Sequence, residues 1–164
     1  MNLKRQIAVI VLALTATTSP VWSQDKQASL SPAAHSLQGT WRVTKHGVNC
    51  QTGEELSSFP ALVTFNQGGT LHGDFVGPGG TAAESTAEHG VWSREPGHQN
   101  YSFRSVSYGW DPDTGAFTGR AEFTAIVHLT SANTFTYDIS ICIYDADGNL
   151  LFCPCGRAEG TRFE

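Results

Sequence analysis

The sequence predicts an all-β chain folded as an eight-stranded antiparallel up-and-down barrel, and three observations carry that prediction. Short alternating runs separated by turn signals begin at residue 37 and continue to the end. No segment sustains an apolar period near 3.6 between helix caps, and residues 53–60 offer one turn of helix at most. Strands joined only by short turns favour a meander, and eight of them can close on themselves, which removes exposed edges.

Taken in order, the first predicted strand, 38–49, opens on "GTWRV" and stops at "QTGEE" (51–55). Strands 60–66 and 70–76 flank "NQGG", and "GPGG" (77–80) ends the second of them. Strand 88–95 runs into "EPGH" (95–98), and strand 99–110 into "DPDTG" (111–115). In 116–130 the odd positions Phe117, Gly119, Ala121, Phe123, Ala125, Val127 and Leu129 are apolar, and most even positions are polar. After "SAN" (131–133), strand 134–144 repeats this with Phe135, Tyr137, Ile139, Ile141 and Ile143, and "DADGN" (145–149) leads to the last strand, 150–163. A period of two places one face of each strand on the core and the other in water. Strand 99–110 is less regular, because Tyr101 and Phe103 share one parity while Val106, Tyr108 and Trp110 share the other. A bulge near Ser105 would bring both sets inside and is the favoured reading; the alternative is an aromatic patch on the outer wall.

Ahead of the barrel domain (37–164) lie two segments of another character. Lys4 and Arg5 precede the apolar run "IAVIVLAL" (7–14), and Val21 and Ser23 occupy the small-x-small places before a cut after Ser23. Residues 1–23 therefore read as a secretory signal peptide, too short for a stable membrane span. Residues 24–36, small and polar, read as a flexible tether. Cleavage leaves 141 of the 164 residues, one domain by size. It also leaves 8 basic side chains against 15 acidic ones, a net charge of −7, which disfavours nucleic acid and anionic lipid as partners. No run of about 18 apolar residues remains, so no membrane insertion is expected after cleavage. The expected location is periplasmic or secreted.

A barrel closes only if its last strand pairs with its first. The first begins Gly39-Thr40-Trp41 and the last ends Gly160-Thr161-Arg162-Phe163. An indole at one mouth needs cover, and a guanidinium stacked on it supplies about 0.5–2 kcal/mol. Trp41 is thus expected to plug one end with Arg162 as its cap, Gly39 giving room; an ordinary core tryptophan of another β fold is the competing reading. Gly39-x-Trp41 at the head of an eight-stranded meander, with an arginine in the final strand, resembles the lipocalin and wider calycin pattern. That resemblance implies a lipocalin-like barrel with a closed end, where tryptophan and arginine pack, and an open end that admits a small apolar ligand. "NCQTG" (49–53), "FPALVTF" (59–65), "HGVW" (89–92) and "GTRF" (160–163) are also similar to a group of small exported bacterial proteins of unknown function.

Four cysteines, an even number in an exported chain, read first as two disulfides. Cys142 and Cys153 flank "DADGN" symmetrically about Asp147-Gly148, a favoured two-residue turn, which makes them direct cross-strand partners. Cys50 then falls to Cys155, neighbours if the barrel closes. The competing reading, a metal or redox site at Cys153-Pro154-Cys155, lacks a second such pair or suitably spaced histidines.

Catalytic motifs are absent, no metal site is evident, and no cofactor is implied. His72 near Asp74 and His89 beside Glu88 are loose candidates; His35, His46, His98 and His128 read as tether, strand or surface residues. Arg120 and Glu122 share a polar face, either as outer-wall charges or as a polar interior, and Ser57 and Ser58 have no base at a recognisable spacing. The inward positions Phe65, Phe103, Gly119, Ala121, Phe123, Ala125, Tyr137 and Ile139 are the expected ligand-binding set. Their small members either open a cavity or merely match large neighbours. Three functions follow: a carrier of a small apolar molecule, a barrel enzyme of isomerase or cyclase type resembling allene oxide cyclase in architecture only, or an interaction module with a filled core. Catalysis would require a titratable group buried inside the barrel; the module, an apolar patch outside at Tyr108 and Trp110.

Overall fold

A computed structural model describes residues 36–163 except Pro78 and His98. The signal segment, the tether before Ser36, His35 and His98 lie outside the described residues. The described chain is all-β: β1 (Gly39–Val48), β2 (Glu55–Phe65), β3 (Thr70–Phe75), β4 (Glu88–Arg94), β5 (Asn100–Trp110), β6 (Phe117–Leu129), β7 (Thr134–Asp145), β8 (Leu150–Phe152) and β9 (Cys155–Arg162).

Eight of these strands form a closed antiparallel up-and-down barrel. Each pairs with the next from β1 to β7, β7 pairs with β9, and β9 returns to β1 from Trp41↔Arg162 through Val48↔Cys155. One end of the barrel gathers the start of β1 and the end of β9; the other gathers the turns after β5 and β7. The architecture is consistent with a lipocalin-like fold. Alternation directs the core as expected: Trp41, Val63, Phe65, Tyr101, Phe103, Phe123, Val127, Leu129, Phe135 and Tyr137 are buried together. Each such side chain contributes roughly 1.5–3 kcal/mol by leaving water. Phe135 lies against the backbone of β9, where a Cβ on Gly160 would stand 2.3 Å from its ring.

The structure corrects four expectations. Residues 55–60 are the first half of β2, paired with β1, and not a helical turn. Pro60 is tolerated because pairing with β3 begins only at Ala61, so its missing N–H lies on an unpaired edge. The last predicted strand is broken in two at Cys153-Pro154. Both pieces lie along the same side of β7, and the Pro154 carbonyl accepts a bond from Ile141 N–H at 3.1 Å where proline itself cannot donate. The β7–β8 turn holds three residues, 146–148, with Gly148 at φ 87° and Leu151 as the compensating bulge. Finally, β5 keeps an unbroken register past Ser105 and shifts only at Gly109/Trp110. Ser105 and Ser107 therefore face inward, while Val106, Tyr108 and Trp110 face out.

Both cysteine pairs stand at disulfide distance, Cys50–Cys155 with Cα atoms 5.3 Å apart and Cys142–Cys153 with Cα atoms 4.2 Å apart. They tie the end of β1 to β9 and the base of the β7–β8 hairpin, both at the end opposite Trp41.

Candidate functional site

The two ends of the barrel differ in kind. At the Trp41 end the Arg162 Cζ sits 4.2 Å from the indole centroid. Arg162 donates from Nη1 to the Gln38 carbonyl at 2.7 Å, from Nη2 to Ser36 and Ala132 at 2.8 and 2.9 Å, and from Nε to Ala132 at 3.0 Å. Trp41 Nε1 donates to the Leu37 carbonyl at 2.9 Å, and Leu37 is fully buried. Gly39 makes the room: at φ 128°, its absent Cβ would fall 2.7 Å from Arg162 Nη1. The glycine thus accommodates the guanidinium. Phe135 packs 4.8 Å from the Trp41 ring, and this end is shut.

The opposite end opens to solvent beside the β3–β4 loop. Ser107, Gly109, Gly119 and Ala121 from the inner faces of β5 and β6, with Ile143, Leu151 and the loop residues Gly77, Gly79, Gly80, Thr81, Glu84 and Ser85, line a cavity of about 500 Å³. A larger groove of about 1370 Å³ runs instead along the outer wall, past Arg42, Thr44, Leu62, Glu159 and Thr161. The expected ligand set therefore divides. Gly119 and Ala121 line the cavity, and Phe123 stands one inward position below Ala121. Phe65, Phe103, Ala125, Tyr137 and Ile139 are buried in the core, with Phe103 and Tyr137 edge to face at 5.5 Å. Gly119 has a backbone reason as well, since at φ 139° its Cβ would meet the Tyr144 carbonyl at 2.0 Å.

Below the cavity lies a group of polar side chains that the sequence reading missed. Lys45 Nζ stands 2.9 Å from Glu88 Oε2, and the two residues are 7% and 1% exposed. Ser105 Oγ donates to Glu88 Oε1, and Lys45 Nζ lies 3.8 Å over the Phe75 ring and 5.5 Å from that of Phe123. Ser107, two residues along the same inner face from Ser105, carries this polar line to the cavity wall. The parity of β1 holds the missed signal: Trp41, Val43 and Lys45 share one face, and a lysine there must enter the barrel. Glu88 shares its face with Gly90 and Trp92 in the same way. A buried pair of this sort is a poor stabiliser, because desolvating each ion costs several kcal/mol against its Coulomb gain.

Tyr137 adds an unsatisfied group. Its hydroxyl is buried with no hydrogen-bond partner among the described residues. Burial, and secondarily the Glu88 charge, raises its pKa well above the ordinary 10.0.

The remaining candidates lie on the outer wall. His72 and His89 are cross-strand partners with ring centroids 4.7 Å apart, and His72 Nε2 lies 3.1 Å from Asp74 Oδ2. His46 Nδ1 is 3.0 Å from Glu55 Oε2, and His128 Nδ1 is 2.9 Å from Asn100 Oδ1. Arg120 Nε donates to Glu122 Oε1 at 2.7 Å and its guanidinium covers the Tyr144 ring at 4.2 Å. No group of three or more His, Cys, Asp or Glu that could hold a metal occurs among the described residues. Comparison of the chain with protein-family models and with curated proteins finds no match.

Proposed function

We propose that the chain is an exported barrel that binds a small, largely apolar molecule through its open end. The observation that carries this reading is the cavity of about 500 Å³ at that end, walled by Gly109, Gly119, Ala121 and Ile143. Ligand sites commonly measure about 300–1,000 Å³, mostly apolar with a few placed polar groups. Here Ser107, Thr118, Glu84 and Arg120 line the cavity and supply such groups. Gly119 and Ala121 are the first contacts, and Phe123 the floor. Phe65, Phe103, Ala125, Tyr137 and Ile139 support that floor and meet the ligand only if it reaches deeper. Two disulfides favour an oxidising compartment, periplasmic or extracellular.

The test is organic extraction of the purified exported protein with mass spectrometry of the extract, followed by titration of the stripped protein with an apolar fluorophore. A co-purifying apolar compound and saturable uptake are expected, and Ala121→Trp should lower uptake at least tenfold with near-UV dichroism unchanged. An empty extract together with no saturable uptake by well-folded protein would sink the reading.

A second reading, acid–base catalysis on the bound molecule, is favoured by one observation, the Lys45–Glu88 pair buried beneath the cavity. Chromatography separates the two: a carrier returns the molecule it was given, whereas an isomerase returns a compound of equal mass and different retention.

A further inference from the structure

The open end also carries an exposed apolar surface, and we propose that this rim docks on a zwitterionic lipid surface, from which the cavity is loaded. The loading step rests on the ligand-binding reading; the docking does not. Leu150, Leu151 and Phe152, all of β8, are 55–59% exposed. The hairpin is fixed at its base by Cys142–Cys153 and at its tip by the Asp145 carboxylate, which accepts from the N–H groups of Asp147 and Asn149. β8 ends the strand order, so its far edge has no strand partner among the described residues.

The surface continues around the barrel. Tyr108↔Arg120, Arg120↔Tyr144 and Tyr144↔Leu150 form an unbroken cross-strand row over four strands on the outer face. Phe117 joins it to Trp110, with rings 5.6 Å from Trp110 and 6.0 Å from Tyr108. Arg120 within the row is neutralised by Glu122. Two of the row's members, Arg120 and Tyr144, and the neighbouring Leu151 also line the cavity, so the apolar surface runs over the lip into it.

Charge selects the kind of surface. The turns at this rim carry Asp111, Asp113, Asp145 and Asp147. Carboxylates are repelled by anionic bilayers, whereas a phosphocholine surface presents its quaternary ammonium outermost, which aromatic faces and carboxylates both attract. Tyrosine and tryptophan favour that interface, with one side apolar and the other wet. A molecule passing directly from lipid to cavity avoids exposing its apolar area to water, about 25 cal/mol per Å².

The test is flotation of the exported, processed protein, stripped of ligand, with phosphatidylcholine vesicles. Variants sharing the same N-terminus are compared, so any N-terminal contribution cancels. The wild type should float with the vesicles. Leu150→Ser with Leu151→Ser and Phe152→Ser should reduce the bound fraction at least tenfold, and Trp110→Ser several-fold. Ile126→Ser, at an exposed position on the mid-barrel wall, should leave it unchanged. The proposal is overturned by absence of flotation, by equal effects of rim and Ile126 variants, or by stronger binding to anionic vesicles. A rim-dependent dimer in sedimentation without flotation would also overturn it, assigning the surface to a second copy. Retained fluorophore uptake in a protein that does not float would leave the cavity reading standing.

Discussion

Lys45 and Glu88 meet at 2.9 Å inside the barrel although 43 residues separate them in the chain. They come from β1 and β4, and the layer they share holds Ser105, Phe75 and Phe123. The other strands supply this interior with apolar or small side chains, apart from Tyr137 of β7 with its hydroxyl. An ion pair in such a setting adds little net stability over apolar residues of equal volume, yet breaking it is costly.

That asymmetry gives the first prediction. Glu88→Leu and Lys45→Met, made singly, each leave one charge buried without its partner and should cost about 3–5 kcal/mol. The double variant should be neutral or up to about 4 kcal/mol more stable than the wild type. Urea midpoints of the four proteins check this. Single variants as stable as the wild type would mean that the pair is hydrated and not sealed in the core.

Closure at the opposite end gives the second. Arg162→Lys keeps the charge but loses the planar stack on Trp41 and the forked donation to Ser36, Gln38 and Ala132. Two or more charge-assisted bonds at about 1.5–3 kcal/mol each set the expected loss at about 3 kcal/mol or more. Gly39→Ala should lose about 1–3 kcal/mol from backbone strain at φ 128°, beyond the displacement of the guanidinium. Both are read from denaturant curves; a Lys variant within about 0.5 kcal/mol of wild type would show that surface-like placement suffices.

How much of this was legible beforehand varies with the physics involved. The alternation of 117–129 and 135–143 already specified which faces turn inward, because a period of two leaves a strand no other way to bury Phe123 and Phe135. The pairing of Cys142 with Cys153 followed from symmetry about a turn, and it survived the change from a two-residue to a three-residue loop because the Leu151 bulge restores the register. What escaped were features set by a partner distant in sequence. β5 offers two conflicting parities, and its unbroken register past Ser105 puts that residue on the Tyr101 and Phe103 face, beside Glu88 of β4. Lys45 shares the Trp41 face, but a lysine within reach of a strand's end reads as solvated until the barrel is closed above it. Pro154 cannot donate to a ladder, and it sits at the break between β8 and β9.

The two disulfides close loops of very different length, and this fixes the third prediction. Cys50–Cys155 spans 105 residues and Cys142–Cys153 spans 11. In the chain-entropy model these are worth about 4.8 and 2.8 kcal/mol. Cys50→Ser with Cys155→Ser should therefore destabilise by about 2 kcal/mol more than Cys142→Ser with Cys153→Ser. The reverse order would place the main contribution in the hairpin's native geometry and not in the unfolded chain.

The last prediction concerns the Tyr137 hydroxyl, buried without a partner. An unsatisfied buried hydroxyl costs about 1–3 kcal/mol, so Tyr137→Phe should be neutral or stabilising near pH 7. The alkaline limb gives an independent readout. The folded-state pKa is raised above 10.0, so the folded chain keeps a proton that the unfolded chain releases. With fewer protons bound to the unfolded state, stability falls as pH rises above that ordinary value, and goes on falling until the folded-state pKa is reached. Tyr137→Phe removes this contribution, and its melting temperature should decline less steeply above pH 10 than that of the wild type. If the two proteins decline in parallel while Tyr137→Phe is less stable near neutral pH, the hydroxyl has a partner after all. The natural occupant is then an ordered water or the polar end of a ligand that has reached past Phe123.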